Sequence, residues 1–275
     1  MKLAFSTNAF TNYGVTDAIE AIRAAGYDGV ELMADRPHLY PPDVTDAAIA
    51  GVRAALERAG LAVSNVNAFM LRAIGDIWHP SWIEPDEGER RKRLDHTVQC
   101  LNLAAKLGAP SISTEPGGPL PEGMAREEAL ALFGEGIAAA LAAAEQSGVD
   151  LLVEPEPGLL IENSGEFLDF VKGFDSPRLG LNFDIGHFYC VGEDPAEAFT
   201  KLRRFVRHVH LEDIARTREH KHRIPGDGAI DLERVLAVMN NSGYDGWVTV
   251  ELYPYEDNPA ETARAARARV GEMGL

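Results

Sequence analysis

Eight times along this chain a short run rich in apolar and β-branched residues gives way to a stretch with helical spacing. No other feature of the sequence restricts the fold as much. The strand-like runs cover residues 2–10, 27–33, 61–69, 110–115, 149–154, 179–184, 206–211 and 246–252. Helical stretches follow at about 16–25, 45–59, 89–107, 126–146, from Asn163 and Glu166 onward, 195–205, around Leu232, Val235, Leu236 and Met239, and at 258–273. In the second of these, Ile49, Val52 and Leu56 fall on one face and Gly60 supplies the stop, as Gly26 does for the first. Strands that alternate with helices pair in parallel, and eight of them close on themselves. The expected architecture is therefore α/β, a single (β/α)8 TIM barrel, with residues 1–275 forming one domain. An internal echo agrees: Gly26-Tyr27-Asp28-Gly29 precedes the second strand and Gly243-Tyr244-Asp245-Gly246 the eighth.

Composition narrows the partners. A formal net charge of -17 repels phosphate backbones and anionic membrane surfaces, so neither nucleic acid nor membrane is expected to bind. The densest basic run, Arg90-Arg91-Lys92-Arg93, follows Glu84, Asp86, Glu87 and Glu89 and reads as the solvated start of a helix. Cys100 and Cys190 form no CxxC pair, which fits a reducing cytoplasm. The N-terminus turns polar at Ser6-Thr7-Asn8, too early for the apolar core of a signal peptide. No apolar stretch approaches the roughly 20 residues that span a bilayer.

In a barrel of this kind the chemistry sits at the C-terminal ends of the strands. The fifth strand ends in Glu154, the sixth in Asp184, the seventh in His210 and the eighth in Glu251. Three carboxylates converging on one mouth repel one another unless a cation lies between them. An oxygen-rich set with one imidazole suits Mn2+ or Mg2+ best, then Co2+ and Zn2+. Asn67, Glu115 and Glu156 also stand at strand ends, within reach of a substrate. His208 shares strand parity with His210 and reads as a hydrogen-bonded barrel histidine.

Two connections stand out by content. The one after the third strand carries Trp78, His79, Pro80, Trp82 and Pro85, and its length marks either a lid over the mouth or a packing excursion under a neighbour. The one after the seventh carries His220-Lys221-His222-Arg223-Ile224-Pro225-Gly226-Asp227-Gly228, whose two histidines could hold a metal or grip an anionic or polyol substrate. There is no phosphate-binding P-loop, no HExxH helix and no Gly-x-Ser-x-Gly elbow.

Several short stretches, taken in order, resemble the xylose isomerase-like barrel superfamily. They are Gly29-Val30-Glu31-Leu32, Val153-Glu154-Pro155, Asp184-Ile185-Gly186-His187, His208-Val209-His210-Leu211-Glu212-Asp213, Pro225-Gly226-Asp227-Gly228-Ala229-Ile230-Asp231 and Val250-Glu251-Leu252. That superfamily holds sugar isomerases, ketose 3-epimerases, inosose-processing enzymes and endonuclease IV. The resemblance implies that Glu154, Asp184, His210 and Glu251 bind the metal. It further implies that Glu154 and Glu251 flank the substrate as an acid/base pair, and that His187 touches substrate oxygens. It also implies a homo-oligomer. The His220 loop resembles the endonuclease branch, where an Asp-x-His pair holds an extra metal, but His220 stands in the place of that Asp.

These readings make the chain a metal-dependent isomerase or epimerase of a keto-sugar, inosose or small polyol, working through an enediolate. Glu156, His187, His220, His222 and Asn67 would contact the substrate. A lyase or dehydratase using the same enolate is the alternative. An endonuclease IV-like nuclease fits the charge poorly, and a non-catalytic carbohydrate-binding barrel has little need of three carboxylates in one mouth.

Overall fold

Polar residues every second position in β-like runs demand an interior that can hydrogen-bond them, and the barrel provides one. In the computed structural model, which describes residues 1–275, the strands are β1 (Lys2–Ser6), β2 (Gly29–Met33), β3 (Ala62–Asn67), β4 (Ser111–Thr114), β5 (Asp150–Val153), β6 (Leu179–Asp184), β7 (Val206–Leu211) and β8 (Trp247–Val250). They pair in chain order, all parallel, and β8 closes back onto β1. The helices are α1 (Val15–Ala24), α2 (Asp46–Ala59), α3 (Glu87–Leu107), α4 (Arg126–Ser147), α5 (Ser164–Val171), α6 (Ile185–Cys190), α7 (Pro195–Leu202), α8 (Leu232–Asn241) and α9 (Pro259–Glu272). The expected barrel is the observed one. None of its helices is long and apolar enough to cross a membrane.

The side-chain period of two sorts each strand into an inner and an outer face. In β2, Val30 and Leu32 join the apolar core, whereas Glu31 reaches His210 of β7 from the other face. In β7, Val209 and Leu211 join that core with Phe199 and Leu202 of α7, while His208 and His210 point the opposite way. The barrel interior is correspondingly polar and paired. His208 donates from Nδ1 to Asn182 Oδ1 at 2.8 Å and accepts at Nε2 from Thr249 Oγ1 at 2.7 Å, which makes it the satisfied barrel histidine expected. Asn65 donates to Glu31 at 2.9 Å and accepts from Ser111 at 2.7 Å.

Local signals set the helix ends. Thr45 accepts from the Ala48 N–H to start α2, and Gly60, left-handed at φ 66°, ends it. Three expectations shift. The first strand stops at Ser6, because Ser6 caps a 3-10 turn over Thr7–Ala9. The helix expected at 195–205 ends at Leu202. Between β6 and α7 an unforeseen short helix, α6, begins directly on Asp184, and a piece of six residues is too short to show a helical period.

The basic run at 90–93 needs a larger correction. Arg91 and Lys92 are exposed, as a solvated helix start requires, but Arg93 is completely buried. Successive residues of a helix are turned by about 100° from one another, so neighbours in a run of like charges fall on different faces and the run conceals which of them points inward.

Candidate metal centre

Closure brings the ends of β5 to β8 to one rim. Asp184 ends β6, Glu154 and Glu251 lie one residue beyond β5 and β8, and His210 lies one residue inside the end of β7. Each of the four offers a ligand atom within 4.8 Å of the others, and all four are buried. His210 Nδ1 lies 2.8 Å from Glu154 Oε1, 3.5 Å from Glu251 Oε2 and 3.7 Å from Asp184 Oδ2.

Each ligand is held on its far side. Asp184 caps α6, accepting the His187 N–H at Oδ1 (2.8 Å), which leaves Oδ2 buried without a hydrogen-bond partner. The helix missed in the sequence thus aims this carboxylate. Glu251 Oε1 accepts from the amides of Asn8 (2.8 Å) and Asn67 (3.3 Å), so Oε2 is the atom turned to the centre. His210 Nε2 faces Glu31 Oε2 at 2.9 Å, which leaves Nδ1 as the inward nitrogen.

The electrostatics record the crowding. Burial raises the Asp184 carboxyl to about 7, Glu154 adds to it, and His210 opposes. Burial also lifts Glu251 and Glu156 well above the carboxylate range. Glu212, beside Asp184 and accepting the Gly186 N–H, is raised in the same way. Burial alone would lower His210, but Glu251, Glu31 and Glu154 outweigh it and hold the imidazole well above its ordinary value. A site that pushes four acids toward protonation and draws a proton onto its histidine is short of positive charge. A divalent ion answers that deficit, and an orphaned carboxylate oxygen with three further donors in reach fits one.

Beside this centre lies a second group. His187 Nδ1 donates to the Pro155 carbonyl and His222 Nδ1 to the Glu251 carbonyl, both at 2.9 Å, so each turns Nε2 inward. His220 joins them, with ligand atoms of all three within 4.8 Å. Glu156 sits between, 3.2 Å from His187 Nε2 and 3.4 Å from His220 Nδ1. Burial holds all three imidazoles below their ordinary range, His220 at about 4. Burial thus disfavours their charged forms, and Nε2 of His220 and of His222 has no hydrogen-bond partner, which leaves both free for ligand oxygens.

The cleft above both groups is lined by Glu154, Glu156, Glu251, His187, His220, His222, Asn67 and Asn8 on one side, with Phe69, Met70, Arg72, Ile77, Trp78 and Tyr253 completing it. Of the residues expected to meet a substrate, Asn67, Glu156, His187, His220 and His222 are therefore in its wall. Of the two loop tryptophans, Trp78 lines the cleft whereas Trp82 is buried and donates to Thr114 at 3.0 Å, so the connection is lid and packing excursion at once. Glu115 is not in the wall; it is buried beside Arg93.

Sequence reasoning missed Asn8, Glu31, Phe69 and Tyr253 as site residues. Asn8, just past β1, could have been found by the strand-end rule used for Asn67. Glu31 sits inside a strand, and its partner is 179 residues away.

The family model described as "Xylose isomerase-like TIM barrel" matches residues 19–270. The chain is 27% identical to a fructoselysine 3-epimerase of Escherichia coli O157:H7, covering 98% of this chain and 97% of that one. It is 26% identical to an inosose dehydratase of Clostridium beijerinckii, over 93% of this chain and 88% of that one. Among solved structures, a D-tagatose 3-epimerase-like protein superposes with a TM-score of 0.85 at 23% identity, covering 99% of this chain and 97% of its own.

Proposed function

The chain belongs to the xylose isomerase-like TIM barrel family and is an enzyme; on that premise we propose that it isomerises or epimerises a keto-sugar, an inosose or a related small polyol. The observation that carries this reading is the convergence of Glu154, Asp184, His210 and Glu251 within 4.8 Å under a cleft walled by further polar side chains. These four residues would hold a divalent cation, with Mn2+ or Mg2+ best suited to the oxygen-rich set and Co2+ or Zn2+ after them. When bound, the cation would polarise a carbonyl and its neighbouring hydroxyl and lower the energy of the enediolate.

The chain's own groups do the rest. Glu154 and Glu251 come from strands separated by β6 and β7, so they approach a substrate from different sides. One removes the proton next to the carbonyl and the other returns it, each contributing about 10^2–10^4 in rate as a positioned acid or base. Asn8 and Asn67 keep Glu251 oriented through Oε1. His187, His220, His222 and Glu156 meet the substrate hydroxyls. The enzyme works as one domain over residues 1–275, on small molecules rather than nucleic acid, in the cytoplasm, and as a homo-oligomer.

The relation to an inosose dehydratase favours one second reading, a lyase. The first proton abstraction is then the same, but the enolate expels a β-hydroxyl instead of regaining a proton. Incubating the enzyme with ketoses and inososes in D2O with Mn2+ separates the two. Epimerisation places solvent deuterium on the carbon next to the carbonyl, and elimination yields a product lighter by one water. Neither outcome with any ketose or inosose, under Mn2+, Mg2+, Co2+ or Zn2+, would remove the enolising reading.

Glu31 supplies a further prediction. By accepting from His210 Nε2–H it fixes the tautomer whose Nδ1 lone pair is free for the ion. Glu31→Gln is expected to weaken Mn2+ binding about 10–100-fold, read by titration calorimetry. Unchanged affinity would take Glu31 out of the centre's support.

A further inference from the structure

The loop that walls one side of the cleft is tied down at its base by a single buried cation. The connection from β3 to α3, residues 68–86, places Arg72, Ile77 and Trp78 in the cleft wall, next to Phe69 and Met70. Its tip is a tight turn in which Asp76 Oδ1 accepts from the backbone N–H groups of Trp78 and His79, each at 2.8 Å. Its entrance is fixed by buried Asp35, which accepts from the N–H groups of Arg72 (2.8 Å) and Ala73 (3.1 Å).

Its two ends meet at Arg93. This guanidinium donates from Nη1 to the carbonyls of Phe69 (2.7 Å) and Ala68 (3.3 Å), where the loop begins, and from Nε to the carbonyl of Pro80 (2.9 Å), where it leaves the mouth. Glu115, just past β4, lies 3.4 Å from Nε, and neither side chain is exposed to solvent. Burying an arginine is unfavourable, and an apolar residue packs a core at least as well. What an arginine offers instead is a rigid planar fork that can bind several carbonyls at once, which a lysine cannot match.

We propose that Arg93 is a positioning residue for substrate recognition: by pinning residues 68–69 to Pro80 it closes the base of the loop and holds Phe69 and Trp78 as a fixed wall of the cleft, with Glu115 packed beside it. The two rings pack edge to face, with centroids 5.9 Å apart, one ring on the segment Arg93 binds directly and the other on the loop it closes. Fixing the ends of a compact loop removes freedom that a bound substrate would otherwise have to remove. Arg93 does not itself line the cleft. The inference rests on the reading of this cleft as the substrate site.

The test uses the metal-loaded full-length enzyme with Arg93→Lys and Glu115→Gln. Arg93→Lys is expected to raise KM about tenfold or more while kcat changes less than about threefold, because Glu154 and Glu251 are untouched. In the substrate-free protein, amide hydrogen exchange of residues 71–81 should quicken about tenfold with β5 to β8 unchanged. In a Trp78→Ala background, Arg93→Lys should add less than about twofold to KM, since the wall is already broken. Glu115→Gln, which keeps the side chain's shape beside the guanidinium but removes its capacity to ionise, should move KM and loop exchange in the same direction by less, and it decides the matter if Arg93→Lys does not fold. Unchanged KM and loop exchange would overturn the proposal. So would a uniform loss of exchange protection with kcat falling as far as KM rises, which marks an ordinary core ion pair. Because the exchange measurement needs no substrate, it separates a failure of this inference from a failure of the enolising reading.

Discussion

Replacing Glu251 with glutamine is expected to lower turnover about 10^2–10^4-fold on every substrate the enzyme accepts, and to leave the fold intact. Glutamine has the shape of glutamate, and its carbonyl oxygen can still accept from Asn8 and Asn67 as Oε1 does. What disappears is the carboxylate oxygen turned toward His210 and His222, and with it one of the two groups that the proposed mechanism assigns to moving the proton. Folding should not suffer, since burial disfavours the charged form of Glu251 and the neutral amide removes that strain. Glu154→Gln should behave likewise, with one informative difference. Each single variant keeps one base, so each should still exchange the substrate's acidic proton with D2O from one epimer and not from the other. Turnover within about twofold of the parent enzyme in either variant, a change far below what a proton-transfer group contributes, would end the two-base mechanism.

The second large effect is on stability, and it depends on both ion and pH. Asp184 titrates near 7 in the metal-free folded chain and at about 4 in an unfolded one. Between those values the folded Asp184 carboxyl keeps a proton that the unfolded one has lost, so its contribution to stability falls as pH rises from about 4 to about 7. Glu251 and Glu212, raised in the same direction, extend that loss upward. His38, His96, His187, His208, His220 and His222, all lowered by burial, act in the opposite direction with or without the ion, so the ion-dependent shift is the quantity to follow. An ion binding at the centre takes the place of the carboxyl protons, and it also needs His210 to give up the proton that Glu251, Glu31 and Glu154 favour against burial. Both requirements strengthen ion binding as pH rises. At a free Mn2+ concentration about 100 times its Kd the gain is about 2.7 kcal/mol, or about 5 °C in Tm for a chain of this size. The expected pattern is a shift of that size at pH 8 that shrinks toward zero at pH 5 and is reversed by a chelator, followed by scanning fluorimetry. An equal shift at both pH values, or none, would show that the four residues do not share an ion.

Much of the candidate site was legible because strand ends are local features. The period of two and the stops at Pro155, Gly186 and Asp213 put Glu154, Asp184 and His210 near the ends of their runs before any pairing is known. The barrel's closure then follows from the count of strands. Residues whose role depends on a distant partner gave no such signal. Glu31 stands in a run that reads as an ordinary strand, and only the barrel's curvature brings it to His210. Arg93 shares a charge run with three neighbours, and only the docking of α3 against the ends of β3 and β4 shows that it alone turns inward.

Periodicity and strand-end chemistry, both carried within a few residues, were therefore enough to determine the eight-stranded barrel and the acids and imidazole on its rim. Tertiary structure alone decided which oxygen of Asp184 and Glu251 faces the centre and which nitrogen of His210 does. It also divided Trp78 from Trp82, one to the cleft and one to the core. The reason is physical: a side chain's type is local, but its burial and its hydrogen-bond partners are set by whichever distant segment packs against it.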